Sequence, residues 1–455
     1  MTKRTRRRAA FKRLRRRAVE VDFQGGTLTT DSGLLLLREA DRKLGLIDRI
    51  NAAIPDPRDL RYVAHPQREM LVSRIFGIAT GYEDGNDHAQ LRYDPAMQVA
   101  AQREPDAAIR LASPSTLSRL ENRVDSKTMF ALHEILVDTF LDSYDEPPEE
   151  IILDLDATDD PTHGNQEKRY FNGFYNGYCF LPLYVFCGNQ ILVSYLRPSS
   201  VGAAKHARPI SKLLVEKIRS RWPNVRIILR GDSGFCNGKL MRWCDKNRVG
   251  YIFGFQQNPA LKRHLVHEMV AAHAAFQSAR EKQRRFTWFS YKARRWDRHR
   301  WVIGKAEHTA KGSNPRFVVT NLPEAVAQAS SGNSPAANPE RFYETLYCPR
   351  GEMENRIKEQ QLCLFADRTS CTDFMANQFR LMLASFAYVL LDAVRRIGLA
   401  GTEASHWRVD TIRLRLLKIA ARVRVTARRV VFHLASSCPY ERLFNHVAER
   451  LCDTS

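Results

Sequence analysis

The sequence predicts an α/β protein: a mixed sheet with helices packed on it, preceded by a helical domain and interrupted late by a β-rich insertion. Three observations carry this expectation. Five strand signals run from residue 151 to 255, two helical stretches separate the later ones, and a basic, aromatic-rich segment then breaks the rhythm. At roughly 150 residues per domain, a chain of 455 residues has room for about three domains, or one large domain with an insertion.

Residues 1–20 hold ten basic residues and one acid, Glu20. So dense a run repels itself and is expected to be a disordered arm until it meets phosphates, unless it is a solvated tail or a localisation signal. Residues 21–145 read as a helical domain. Asp31 or Ser32 can cap the run GLLLLREADRKLGL, and residues 67–78 follow with apolar positions near helical spacing. In SPSTLSRLENR, a Ser cap with Pro beside it opens a short helix bearing Arg119 and Arg123. Those arginines suit a helix that enters a DNA groove, or a capped surface helix.

The acidic, proline-containing stretch DSYDEPPEE at 142–150 reads as a linker. Residues 146–259 then supply IILDLD, YCFLPLYVF, QILVSYL, VRIIL and VGYIFGF as strands, with helices over 203–221 and 237–247. Residues 260–338 form the expected insertion. Between Lys262 and Arg316 it carries fourteen basic residues against four acids, interleaved with aromatics, and it ends in an Ala/Ser/Asn/Pro loop at 325–339. Helical pattern returns over 339–400, and 401–455 form a basic C-terminal region.

Lys and Arg number 71 against 50 Asp and Glu, a formal charge of +21 that points to a polyanionic partner. A 44% hydrophobic fraction excludes wholesale disorder. No apolar run reaches the roughly 18 residues of a membrane span. The longest, LMLASFAYVLL, stops at Asp392 and fits a buried helix, so no membrane role is expected. The N-terminus has charge without the apolar stretch of a signal peptide. Nine cysteines without a CxxC pair suggest reduced thiols in the cytoplasm.

Acids are scarce, so their placement is informative. Asp154 and Asp156 lie on one face of the first strand, where ATDDPTHG ends it. Asp232 follows VRIIL in LRGDSGF, at a strand's C-terminal edge, where sites form in open α/β sheets. Glu354 stands near the start of a helix in YCPRGEMENRIKEQQ. Two aspartates and a glutamate are the oxygen donors that a pair of Mg²⁺ ions requires for in-line phosphoryl transfer. Three carboxylates among fifty also serve as caps and ion pairs elsewhere.

The segments DLDATDD, LRGDSGF and YCPRGEMENRIKE resemble the catalytic blocks of DDE insertion-sequence transposases, in the branch carrying a Tyr-Arg-Glu-Lys signature. The signature falls on Tyr347, Arg350 and Glu354; the first aspartate on Asp156, followed by Ala157 and Thr158; the second on Asp232. The signature lysine position holds Gln361, and Lys358, one helical turn after Glu354, stands in its place. Asp154 competes with Asp156, its other role being a strand-end ion pair.

The resemblance implies an RNase H-like sheet flanked by helices, an N-terminal helical DNA-binding domain, and the insertion before the last catalytic helix. It implies Asp156, Asp232 and Glu354 as catalytic metal ligands for two Mg²⁺ ions, with Mn²⁺ as a substitute. Tyr347, Arg350 and Lys358 would grip phosphates. The implied activity is metal-dependent cutting at terminal inverted repeats through DNA hairpin ends, then joining of 3′-OH ends to target DNA. A homodimer would hold two ends in a synaptic complex, in a bacterial cytoplasm and on the nucleoid when bound. The alternatives are an RNase H-like nuclease that cuts without joining, and a silent DNA-binding protein that keeps the fold.

Trp288, Trp296 and Trp301 are candidates to stack on a flipped base, or tryptophans buried in a small β module. His264, His267 and His273 read as a helix face rather than a zinc site. His163 lies close after Asp156 and could contact the site or simply occupy an exposed loop.

Overall fold

Nine strands form the central sheet of the computed structural model, which describes residues 9–106, 108, 110–322 and 338–453; eight run in one path, and the two-residue Gly312–Ser313 pairs beside Arg300–Thr309. The eight are β1 (Glu150–Ala157), β2 (Leu183–Cys187), β3 (Gln190–Tyr195), β4 (Arg226–Gly231), β5 (Gly250–Phe255), β6 (Gln283–Tyr291), β7 (Arg300–Thr309) and β8 (Arg316–Thr320). Their order across the sheet is β6-β7-β8-β5-β4-β1-β2-β3. β1, β4 and β5 are parallel neighbours, whereas β2 and β3 continue from β1 as an antiparallel pair.

Alternation along β1 explains its central position. Ile151, Leu153 and Leu155 face the main core, where β4 adds Ile227 and Leu229 and the helices Ser126–Leu141 and Ala207–Arg221 supply Phe140, Leu214 and Ile218. The opposite face is smaller. Ile228, Ile252, Ile303 and Val318 there pack with Tyr343, and the partly buried Phe342, Leu346 and Tyr347 join them.

The 260–338 segment carries strands, as expected of a β-rich insertion, and they belong to the central sheet. β6, β7 and β8 pair in register and β8 joins β5, so the insertion lengthens the central sheet. The physical reason is edge pairing: β5 would otherwise leave a row of backbone donors and acceptors unpaired. Most of the 325–339 loop lies outside the described residues.

The chain divides into two units, with the sheet in the one that runs from Glu121 to Val389. The other gathers residues up to Asn51, Asp56–Leu120, and the chain from Leu390 onward. The 401–455 region is therefore part of the N-terminal unit and not a region of its own. Ser32 donates to the Ile419 carbonyl at 2.6 Å, and Leu28–Thr29 pairs with the strand Ala421–Thr426. Residues 1–8 of the expected disordered arm lie outside the description, but residues 9–20 do not lack structure. Ala9–Leu14 and Arg17–Val21 pair as an exposed antiparallel hairpin, turned through the left-handed Arg15.

The helical stretch Phe374–Gly398 is long and apolar enough to cross a membrane, and 78% of its most apolar window is buried inside the protein. It is a core helix by that measure.

In the N-terminal unit, buried His88 has Nε2 3.4 Å from Arg74 Nη1. Burial, with Arg74 adding like charge, presses its pKa down to about 3. Below about pH 6.5 the unfolded chain then takes a proton that the folded unit refuses. Stability present above pH 6.5 is thus expected to fall as pH drops, by about 2 kcal/mol at pH 5. Urea midpoints at pH 7.5 and 5 check this; the difference should shrink in His88→Gln.

Candidate active site

The site begins with two strand ends. β1 carries Asp156 one residue before its end, opposite Tyr184 of β2. β4 ends at Gly231, beside Leu155 of β1 and Phe253 of β5, so Asp232 emerges next to the exit of β1. Asp232 caps the short turn Ser233–Phe235 by accepting from the Gly234 N–H at 2.9 Å.

Gly254 of β5 lets this turn lie close. A Cβ there would stand 2.5 Å from the Tyr347 hydroxyl and 2.9 Å from the Ser233 nitrogen. Gly254→Ala is therefore expected to displace Asp232 and Tyr347 together, costing about 1–3 kcal/mol. A urea titration would check the cost, and a wild-type midpoint would show that the turn can give way.

The third carboxylate comes from the helix Arg350–Lys358, which lies between two π-helical turns, Tyr343–Tyr347 and Glu359–Cys363. Tyr343 seats the first turn on the smaller face of the sheet, with Trp288 packed edge-on to Phe342 at 5.8 Å. Buried Arg230 fastens the same turn by donating to the Leu346 carbonyl at 2.7 Å. Strand-borne and helix-borne carboxylates are thus positioned by one packed face.

Arg350 connects them. Its Nη2 donates to Glu354 Oε1 at 2.6 Å, and Nη1 lies 3.9 Å from Asp156 Oδ2. Burial, with Asp232 and Glu354 adding like charge, pushes the Asp156 carboxyl up to about 7 against the pull of Arg350. Burial likewise raises the Tyr347 phenol, whose oxygen accepts a side-chain hydrogen bond from Arg350.

Asp154 takes a different role from Asp156. It is buried and ion-paired through both oxygens to Arg230, at 2.5 and 2.7 Å. Gln361, at the signature lysine position, turns its amide to the Asp159 carbonyl at 2.8 Å and ties the chain leaving β1 to the turn after Glu354. Lys358 is exposed.

The sequence model of the transposase DDE domain group 1 family matches residues 11–455. The chain belongs to that family. As a DDE transposase it is a DNA-cleaving enzyme, its partner is DNA, and its family generally uses divalent metal ions. Among solved structures the chain is similar to the cryo-EM structure of a piggyBac transposase synaptic complex with hairpin DNA. The two share 11% identity over 94% of this chain and 83% of that one, with a TM-score of 0.43. No curated protein matches the sequence.

The transposase's carboxylates fit a divalent cation by donor chemistry: hard oxygens, with excess negative charge that Arg350 offsets only in part. The set is open. Among the described residues no three carboxylate, imidazole or thiol groups lie close enough to enclose an ion, and Arg350 holds Glu354.

Of the other predicted DNA contacts, Arg119 is exposed on the helix Pro114–Glu121 and Arg123 is half-buried just beyond it. Trp296 is buried at 7% exposure between Phe255 and Tyr291, with ring centroids 4.9 and 5.9 Å away, so a base cannot stack on it. Trp288 and Trp301 are half-buried on strands of the sheet. His264 stacks on Phe289 and His273 meets His308 at 3.2 Å. His163 is exposed.

Sequence reading missed the hairpin made by Tyr170–Asn172 and Gly177–Phe180. Its Tyr175 phenol is pushed up to about 12 by burial, with the negative charge of Asp159 and Asp156 adding to the shift. Phe171, Phe174 and Tyr178 of the same hairpin are exposed, Phe174 at 87%. Aromatics alternating with Asn and Gly in YFNGFYNGY were the available signal.

Proposed function

We propose that this transposase cuts at the terminal inverted repeats of an insertion sequence and joins the freed 3′-OH ends to target DNA. The observation that carries the reading is Arg350 reaching both Asp156 and Glu354, with Asp232 emerging at the neighbouring strand end. The strand order β3-β2-β1-β4-β5, three antiparallel strands followed by two parallel ones, supports an RNase H-like core.

Asp156, Asp232 and Glu354 would hold two Mg²⁺ ions, with Mn²⁺ as a substitute. Divalent ions bound there supply an activated hydroxyl and stabilise the leaving oxygen. Asp156 and Asp232 meet that role from fixed strand ends, whereas Glu354 must leave Arg350. The freed guanidinium then presents its two-pronged fork to a phosphate, and Lys358 adds a point charge. The Tyr347 hydroxyl donates to the same backbone.

Cutting through hairpin ends bends the DNA sharply, and an unstacked base is stabilised on an aromatic ring. Phe171, Phe174 and Tyr178, exposed on the hairpin that also carries Tyr175, suit that role better than the tryptophans. Arg119 and Arg123 would contact terminal-repeat DNA. Two ends cut together call for a homodimer, acting on the nucleoid in a bacterial cytoplasm.

The test is a plasmid carrying the inverted repeats that flank the reading frame, incubated with Mg²⁺ and wild type or Asp232→Ala. Wild type should release hairpin-ended fragments and joined products, and the variant neither. Cuts without joining would establish a nuclease instead, and binding alone a silent DNA-binding protein.

A further inference from the structure

The C-terminal stretch from 411 to 440 contains seven basic residues and no acid. Three of the seven are used by the fold. Lys418 pairs with Asp31 at 2.7 Å, Arg413 donates to the Ala79 carbonyl at 2.9 Å, and Arg415 lies over Trp407. The other four, Arg422, Arg424, Arg428 and Arg429, sit on one antiparallel ribbon made by Ala421–Thr426 and Arg429–Leu434. All four are exposed, and among the described residues no carboxylate pairs with them.

Register sorts the ribbon into two faces. Arg422 lies opposite His433, Arg424 opposite Val431, and Thr426 opposite Arg429, so three arginines and a histidine share one face. Ala421, Val423, Val425, Val430, Phe432 and Leu434 make the other. The base is anchored, by Leu28–Thr29 pairing with Ala421 and Arg422 and by the Val423 N–H donating to the Thr27 carbonyl at 2.9 Å. Toward the tip even the apolar face is open, with Val425 and Val430 at 47% and 39% exposure. A two-residue turn bearing Arg428 closes it.

A surface that merely keeps a protein soluble intersperses both signs of charge. This one has a single sign, projects, and is two strands wide. The major groove of B-DNA admits a two-stranded β-ribbon, and guanidinium groups pair with phosphates and base edges. We infer that the ribbon Ala421–Leu434 is a DNA-docking element that seats its arginine face on duplex DNA. The inference rests on the transposase reading for its partner and adds a binding surface apart from the carboxylates.

The test measures binding of a fluorescein-labelled 30-bp mixed-sequence duplex by anisotropy between about 50 and 300 mM NaCl. It compares wild type, Arg422→Ala/Arg424→Ala/Arg429→Ala, and the corresponding triple Lys variant. Each lost phosphate contact lowers the slope of log K against log salt by about 0.9. The Ala variant should therefore lose about 2–3 from the slope and at least about tenfold in affinity at 100 mM NaCl. The Lys variant should keep the slope. Arg428→Ala, at the solvent-facing turn, serves if the triple variant fails to fold, and should lose about 0.9.

Wild-type slope and affinity in folded variants overturn the inference, as does an equal loss on the matching single strand, since a groove needs a duplex. Plasmid cutting measured in parallel separates the two proposals. A wild type that fails to cut, with variants that still lose binding, sinks only the transposition reading.

Discussion

Asp156→Asn is expected to abolish DNA cutting while raising the melting temperature of the metal-free protein. The half-buried carboxylate is held near the like charges of Asp232 and Glu354, and burial raises its pKa to about 7 against the pull of Arg350. The folded value lies above the unfolded one, so ionisation erodes stability as pH rises from about 4 to about 7. Above pH 7 the full penalty, up to about 4 kcal/mol, falls on the folded state. The amide removes it but cannot offer a charged oxygen to a divalent ion, so cutting should drop by about a thousandfold or more. Thermal melts in EDTA at pH 8 should show the gain, and melts at pH 5.5 a smaller one, because the wild-type group is then protonated when folded. Undiminished cutting would remove Asp156 from the catalytic set; an unchanged melt at pH 8 would mean that its charge is not strained.

The elements that set this tension were unevenly legible in the sequence. Short apolar runs marked β1, β4 and β5, and alternation within β1 put Asp154 and Asp156 on one face, because these are local properties of the chain. The four-residue step from Arg350 to Glu354 was likewise readable as one helical face, and the structure bonds them at 2.6 Å. What escaped was non-local. That β8 would pair with β5 is decided by two edges about 65 residues apart. That the C-terminal region would complete the N-terminal unit is decided by contacts such as Ser32 with Ile419, 387 residues apart. Which of its two readings Trp296 would take, base platform or buried core, is decided by Phe255 and Tyr291 from two strands. Tyr175 was overlooked because a turn tyrosine carries no periodic signal, although the charges of Asp159 and Asp156 act on its phenol.

Asp154 and Asp156 show the same limit at closest range, and the partner that separates them carries the second large expected effect. Both point to one face of β1, so spacing alone could not say which would be reactive. The parallel register with β4 decides it by setting Arg230 directly beside Asp154, where the guanidinium grips both carboxylate oxygens and keeps its remaining arm for the Leu346 carbonyl. Arg230→Ala should therefore strand a buried negative charge and unfasten the turn before Tyr347, costing about 3–5 kcal/mol. Cutting should fall as well, since Arg350 and Glu354 follow that turn. The double variant Asp154→Leu/Arg230→Met removes both charges together. It should recover most of the stability and leave a deficit of about 1–3 kcal/mol from the unpaired carbonyl. Because the fastening of the turn is not restored, its cutting should stay low. Urea unfolding of the two variants beside plasmid cutting separates these contributions. A single variant that loses less than about 1 kcal/mol would mean that water reaches Asp154 and that the pair is not what aligns the helix with the strand.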